Sequence, residues 1–240
     1  MDLTLQSNDL ELMDSAPLTE KELASALKFL KTTNRFFGGS HVIIKHLKAF
    51  SKSWDPQKTV RILDVGAGLG DIDLDILRWA EKERRSVKIT ALEKVPEIIL
   101  LAEKYLRREP RIEVLQGDFL ESSFSEQSYD VVIASLLLHH IPIELQAEFI
   151  KKADRIAVQG LILSDLERSL AGFWAVKILS LLIGNPIVRH DGPLSVRRAF
   201  KMEELSELAR RCGLTYLRTY REPFFRVSLA GEKLQPQRYL

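Results

Sequence analysis

Residues 63–71, LDVGAGLGD, bring three glycines and two aspartates into nine positions at the end of the apolar run VRIL (60–63). Gly66, Gly68 and Gly70 let a chain turn tightly and approach a ligand without Cβ interference. In a doubly wound sheet the first such strand-to-helix turn is the usual ligand site. A bare connection and the dinucleotide turn G-x-G-x-x-G are the competing readings. The dinucleotide turn needs a small residue at position 71, where this chain has Asp71. A pyrophosphate wants a helix N-terminus free of negative charge, and Asp64 and Asp71 flank this one. They favour a ligand with a cationic centre and an amino group.

Other residues invite chemistry further along. Glu93 closes ALE (91–93), and a carboxylate accepts from two vicinal hydroxyls at once. Asp118 and Phe119 close QGDF (116–119), and His139 and His140 follow YDVVIAS (129–135). An imidazole there either orients or deprotonates an acceptor, or caps a helix and packs beneath a ligand. RHDGPLSVRRAF (189–200) gathers Arg189, His190, Asp191, Arg197 and Arg198 around Gly192-Pro193. His190 with Asp191 reads as a base and its orienter, with Arg197 or Arg198 stabilising an enolate, phenolate or carboxylate. A surface turn with ordinary salt bridges is the alternative.

The elements that must position these residues alternate from residue 60 onward. Strand patterns at 60–65, 87–93, 112–118, 129–135 and 160–165 are separated, save between the third and fourth, by helical ones at 71–83, 95–109 and 142–157. Near-continuous apolar runs such as VVIA and LILS suit strands buried on both faces, hence a parallel, doubly wound α/β sheet. A helix over 200–214 and a hairpin of 214–220 with 224–230 close the chain. Upstream, Thr19 and Glu22 form a capping-box pattern before Leu23, Leu27 and Leu30, and a second helix carries Val42, Ile43, Leu47 and Phe50. Residues 1–16 lack periodicity and read as a loosely docked start. Segment 169–183 is apolar on nearly every side, which suits a buried helix, the wall of an apolar site or contact with a membrane surface.

Composition narrows the partners. With 35 basic and 33 acidic residues among 240, no global field points to nucleic acid. The single Cys212 excludes an internal disulfide and a multi-cysteine zinc site, and no metal is expected. No secretory signal and no run long enough to span a bilayer are visible, so a cytoplasmic protein, monomer or homodimer, is expected.

The strand ending in D-x-G-x-G-x-G at 63–71 resembles motif I of the class I S-adenosylmethionine-dependent methyltransferases. ALE, QGDF and YDVVIASLLLHHI (129–141) follow in the order of the later motifs. The resemblance implies a Rossmann-like seven-stranded sheet with its last strand antiparallel. It also implies a cofactor site made of Asp64, Gly66, Ala67, Gly68, Gly70, Glu93, Lys94, Asp118, Phe119 and Ser135. In it Glu93 takes the ribose, Asp118 and Phe119 the adenine, and Asp64 lies near the methionine amino group. NRFFGG (34–39), DLERS (165–169) and RHDGPLSVRRAF resemble small bacterial methyltransferases found with type III polyketide synthases, and more distantly those of quinone biosynthesis. That implies a small lipophilic acceptor, polyketide, phenolic or quinone-like, methylated on oxygen. Its contacts are expected from Arg35, Trp174, Arg197 and Arg198, with His139, His140 or His190 as the base. A helical cap over 1–55 and a methyltransferase domain over 56–240, with a lid inserted at about 166–199, complete the expectation. Binding without catalysis remains an alternative, as does an NAD(P)-dependent oxidoreductase, which Asp71 disfavours.

Overall fold

The computed structural model describes residues 3–15, 19–183 and 185–233; the side chain of Arg35 lies outside the described residues. Its strands are β1 (Thr59–Val65), β2 (Ser86–Glu93), β3 (Ile112–Gln116), β4 (Tyr129–Ser135), β5 (Ala157–Leu166), β6 (Arg218–Glu222) and β7 (Arg226–Glu232). Among the described residues they form one sheet in the order β3-β2-β1-β4-β5-β7-β6. The first five strands pair in parallel, and β7 runs antiparallel to both β5 and β6. The strand order reverses between β1 and β4, where open α/β sheets hold their ligands.

The period of two along a strand divides the core. Val60 and Ile62 face one helical layer, whereas Leu63 and Val65 face the other. On the first side lie α3 (Gly39–Phe50) and α4 (Asp71–Lys82), with Ile43, Leu47, Ile76 and Leu77 against the sheet. On the second lie α6 (Ile143–Ile156) and α9 (Met202–Arg211), which contribute Phe149, Ile150, Leu205 and Leu208. The helix α2 (Glu20–Phe36) starts at the capping box of Thr19 with Glu22. Its Leu23 and Leu27 pack on Ile98 of α5 (Pro96–Leu106), and its Ala26 on Ile187 and Val188 of α8 (Pro186–Arg198).

Two segments differ from their sequence reading. The N-terminal residues form a docked strap. Ser7 N–H donates to the Arg197 carbonyl (3.1 Å), and the Gln6 amide to that of Arg198 (2.9 Å). Arg168 binds the Leu3 carbonyl (3.1 Å). Asp191 accepts from Leu12 and Met13 N–H, capping the short helix α1 (Leu12–Ser15). Apolar periodicity is absent from this strap because polar and backbone bonds hold it. Gly192-Pro193, a turn by composition, lies inside α8, whose start is fixed by the Asn185 cap and Pro186. A Cβ at Gly192 would stand 3.0 Å from Val176 of α7 (Leu170–Ile183), so the glycine admits a close helix pair.

Candidate active site

The glycine turn lies at the carboxyl end of β1. Gly66, Gly68 and Gly70 all have left-handed backbones, with φ of 70°, 57° and 71°, which explains their alternate spacing. Gly66 and Ala67 N–H donate to the Leu92 carbonyl (2.8 and 3.1 Å), tying the turn to β2. A Cβ at Gly66 would strike Leu137, whereas one at Gly68 would meet nothing within 4 Å. The turn is therefore closed behind and open at Gly68. Glu93 Oε2 accepts from Gly68 N–H (3.0 Å), and Oε1 from Lys94 and Val95 N–H (2.8 and 3.1 Å). Three amides thus aim this carboxylate at the open face.

The turn is strongly acidic. Asp64 (3% exposed) and Asp73 (0%) are buried at its foot, their carboxyls close enough to share a proton in a hydrogen bond. Burial first, then Asp73, Asp71 and Glu93, push the Asp64 carboxyl well above the usual range. Burial also raises Asp73, to about 7. Asp71 is raised by burial too, although the Asn34 amide donates to it (3.4 Å). Buried carboxylates without a cation suit a positively charged ligand. A buried acidic pair, an open glycine face and a carboxylate held by three amides together fit S-adenosylmethionine.

The flanking residues are arranged as follows. Asp118 accepts from Lys94 Nζ (2.7 Å) and Leu120 N–H (2.8 Å); against the cost of burial these hold it below the usual carboxylate range. Phe119 is buried, its ring 4.8 Å from that of Phe149 and 6.1 Å from that of Phe124, so it belongs to the core. Ser135, in register with Ser164 of β5, has a buried hydroxyl without a partner.

The histidines separate into two places. A short 3-10 turn, Leu138–His140, follows β4. His139 Nδ1 lies 2.6 Å from Asp165 Oδ1, and His139 N–H donates to Asp165 Oδ2 (3.0 Å). Burial works against an ionised Asp165, but His139 and the amides of Leu166 and His139 hold its carboxyl below the usual range. His139 Nε2 is buried without a hydrogen-bond partner, 3.7 Å from Glu11 Oε1 on the strap; His140 Nε2 lies 3.9 Å from Glu11 Oε2. Arg198 Nε donates to the His139 carbonyl (3.1 Å).

His190 does meet Asp191, at 2.7 Å, but is half-exposed, and Asp191 is already engaged as the α1 cap. His190 lines a groove of about 560 Å³ with Phe173, Lys177 and Arg197, and Arg197 pairs with Asp9 (3.2 Å). Trp174 is half-exposed on α7, 4.9 Å under Lys177 Nζ. The residue patterns do not single out Asp73 or Glu11, and Asp165 enters them only as the first residue of DLERS, without a role. Asp165 ends its strand as Asp64 and Glu93 end theirs, and that regularity was the available signal. For Glu11, distant in sequence from both histidines, there was none.

Residues 62–160 match the family model described as Methyltransferase domain. No curated protein matches the sequence. The fold is similar to a SAM-dependent methyltransferase from Aquifex aeolicus: 16% identity, TM-score 0.60, over 90% of this chain and 99% of that one. Magnesium protoporphyrin IX methyltransferase from Synechocystis, solved with SAH, is similar at 16% identity and TM-score 0.55, over 82% and 84%. An O-methyltransferase family 2 protein from Planctomyces limnophilus, solved with apigenin, is similar at 18% and 0.66, over 92% of this chain and 63% of that one. Among the described residues no helix is long and apolar enough to cross a membrane. Residues 62–160 thus match a methyltransferase domain, and the sheet order around them is the α/β fold of these methyltransferase structures.

Proposed function

We propose that the enzyme methylates a hydroxyl of a small lipophilic acceptor, of polyketide, phenolic or quinone-like type. The His139–Asp165 pair carries this reading. His139 follows the end of β4, Asp165 is the penultimate residue of β5, and Leu137, two residues before His139, lies against the glycine turn at Gly66. S-adenosylmethionine supplies an activated methyl on a sulfonium. A hydroxyl that holds its proton at working pH needs a base as it attacks. Asp165 fixes the His139 proton on Nδ1, leaves the Nε2 lone pair for the hydroxyl proton, and stabilises the imidazolium that forms. That the similar O-methyltransferase structure holds apigenin supports an organic acceptor.

The lipophilic character rests on α7. Leu170, Trp174, Ile178, Leu181 and Leu182 form an outer stripe whose residues are 50% to 79% exposed. Between Glu167 and Asp191 the chain has no acidic residue, but it has Lys177, Arg189 and His190. An apolar stripe among cationic groups suits transient contact with an anionic lipid surface, from which such an acceptor is drawn. The lone, buried Cys212 suits the reducing cytoplasm.

The reaction is tested with methyl-labelled cofactor and a panel of phenols and hydroxyquinones. Label is expected on oxygen. Asp165→Asn is expected to lower kcat by about 10²-fold or more and to change its pH profile, with cofactor affinity nearly unchanged. Label on carbon or nitrogen, or an unchanged pH–rate profile in Asp165→Asn, would overturn the assignment.

A further inference from the structure

We propose that Glu11, His139 and His140 form a binding site for one divalent transition-metal ion of the zinc class. One ligand atom from each lies within 4.8 Å of the others. Glu11 is 3% and His139 4% exposed, and His139 Nε2 has no hydrogen-bond partner. Consecutive histidines rarely aim the same way, but the tight turn Leu138–His140 sets their rings 4.2 Å apart with both Nε2 atoms toward Glu11.

The donors are held from behind. Asp165 takes the Nδ1 side of His139 at 2.6 Å, which puts the lone pair on Nε2. Ser195 Oγ donates to Glu11 Oε1 (2.9 Å). A carboxylate behind a ligand histidine is the usual outer support of a metal site. Two imidazoles and one carboxylate suit zinc with a fourth position open, whereas calcium and magnesium prefer all-oxygen sites. At Zn–ligand lengths of about 2.1 Å the edges of a tetrahedral site are about 3.4 Å. The ligand atoms, within 4.8 Å of one another, therefore close by no more than about 1.4 Å to meet a shared ion. Arg198 is the neighbouring cation, and its Nε and Nη1 donate to the carbonyls of His139 and Asp9 (3.1 and 3.3 Å).

Glu11 belongs to the strap, so the ion joins residues 3–15 to the end of β4. The same Nε2 is the base of the proposed reaction, so a bound ion and proton uptake exclude each other. Zinc therefore inhibits methyl transfer. Only that consequence rests on the proposed function; ion binding does not.

Full-length protein stripped by chelator is titrated with Zn²⁺ by calorimetry and with Co²⁺ by visible absorption. One equivalent is expected, with the intense visible bands of tetrahedral cobalt. Glu11→Gln and His140→Gln should each weaken binding at least about tenfold, and Asp165→Asn by about 10- to 100-fold. His41→Gln, an exposed histidine on α3, should leave it unchanged. Absence of stoichiometric uptake, or wild-type affinity in His140→Gln, would reduce the cluster to an ion pair and overturn the proposal. His140 is partly exposed, so its variant serves should Glu11→Gln fail to fold. Zinc uptake without oxygen methylation would defeat the acceptor reading alone, and methylation without zinc uptake the metal site alone.

Discussion

Asp64 and Asp73 lie buried at the foot of the glycine turn, each acting on the proton of the other. A carboxyl with folded pKa about 7, against an ordinary 3.8, favours the folded state while protonated. Its contribution is complete below pH of about 3.8 and is lost as pH rises through about 7. Asp73→Asn keeps the shape and removes that titration. At pH 8 it should raise Tm by about 2–4 °C, a gain of about 1 kcal/mol, and at pH 4 by much less. Equal shifts at both pH values, read by calorimetry, would place the effect in packing. Neither the pairing nor the raised pKa was legible in the sequence, where Asp73 is one more acidic residue of an amphipathic helix. Glu93 and Asp118 were legible because parallel strands all end at one edge, where their last residues become neighbours.

At the scale of elements, α7 and the β6–β7 hairpin share a surface. Phe224 and Phe225 both adopt left-handed backbones (φ 60° and 56°) and are exposed, and Phe225 touches the start of α7 at Gly172. Non-glycine residues in that conformation cost about 1–2 kcal/mol each. Each large apolar side chain moved from water into lipid contributes about 1.5–3 kcal/mol. Replacing Ile178 and Leu182 together by Glu should therefore lower co-sedimentation with anionic vesicles at least about tenfold. Their exposure should leave Tm within about 2 °C. Unchanged sedimentation would remove lipid contact from the reading. The apolar run of α7 was plain in the sequence, but which side stays uncovered was not. That depends on where α8 lies, and α8 continues through the Gly192-Pro193 pair that composition reads as a turn.

For the whole molecule, Asn34 links the sheet, the glycine turn and the helix above it. Asn34 joins α2 to the turn at Asp71 and accepts from Arg226 of β7 (3.3 Å), whose fully buried guanidinium is lowered by burial to about 10. A ligand at about 100 times its Kd adds about 2.7 kcal/mol of stability. S-adenosylmethionine should therefore raise Tm by about 5–10 °C for a chain of this size. NAD at equal concentration should leave it unchanged, because its pyrophosphate meets Asp64 and Asp71. A larger shift with NAD would point to a dinucleotide site.

The sequence by itself determined the doubly wound sheet, the left-handed glycine turn and the carboxylates at the strand ends. Each of these follows from local periodicity or from turn chemistry, and the parallel sheet then assembles the strand ends without further information. Only the tertiary structure decided which histidine gains a carboxylate. His190 has Asp191 beside it in the chain, yet that aspartate caps the strap. His139 instead meets Asp165 across β4 and β5, with Glu11 opposite. Those contacts join residues far apart in the chain, and they exist because polar bonds seat the strap against α8, which no repeating pattern in the sequence records.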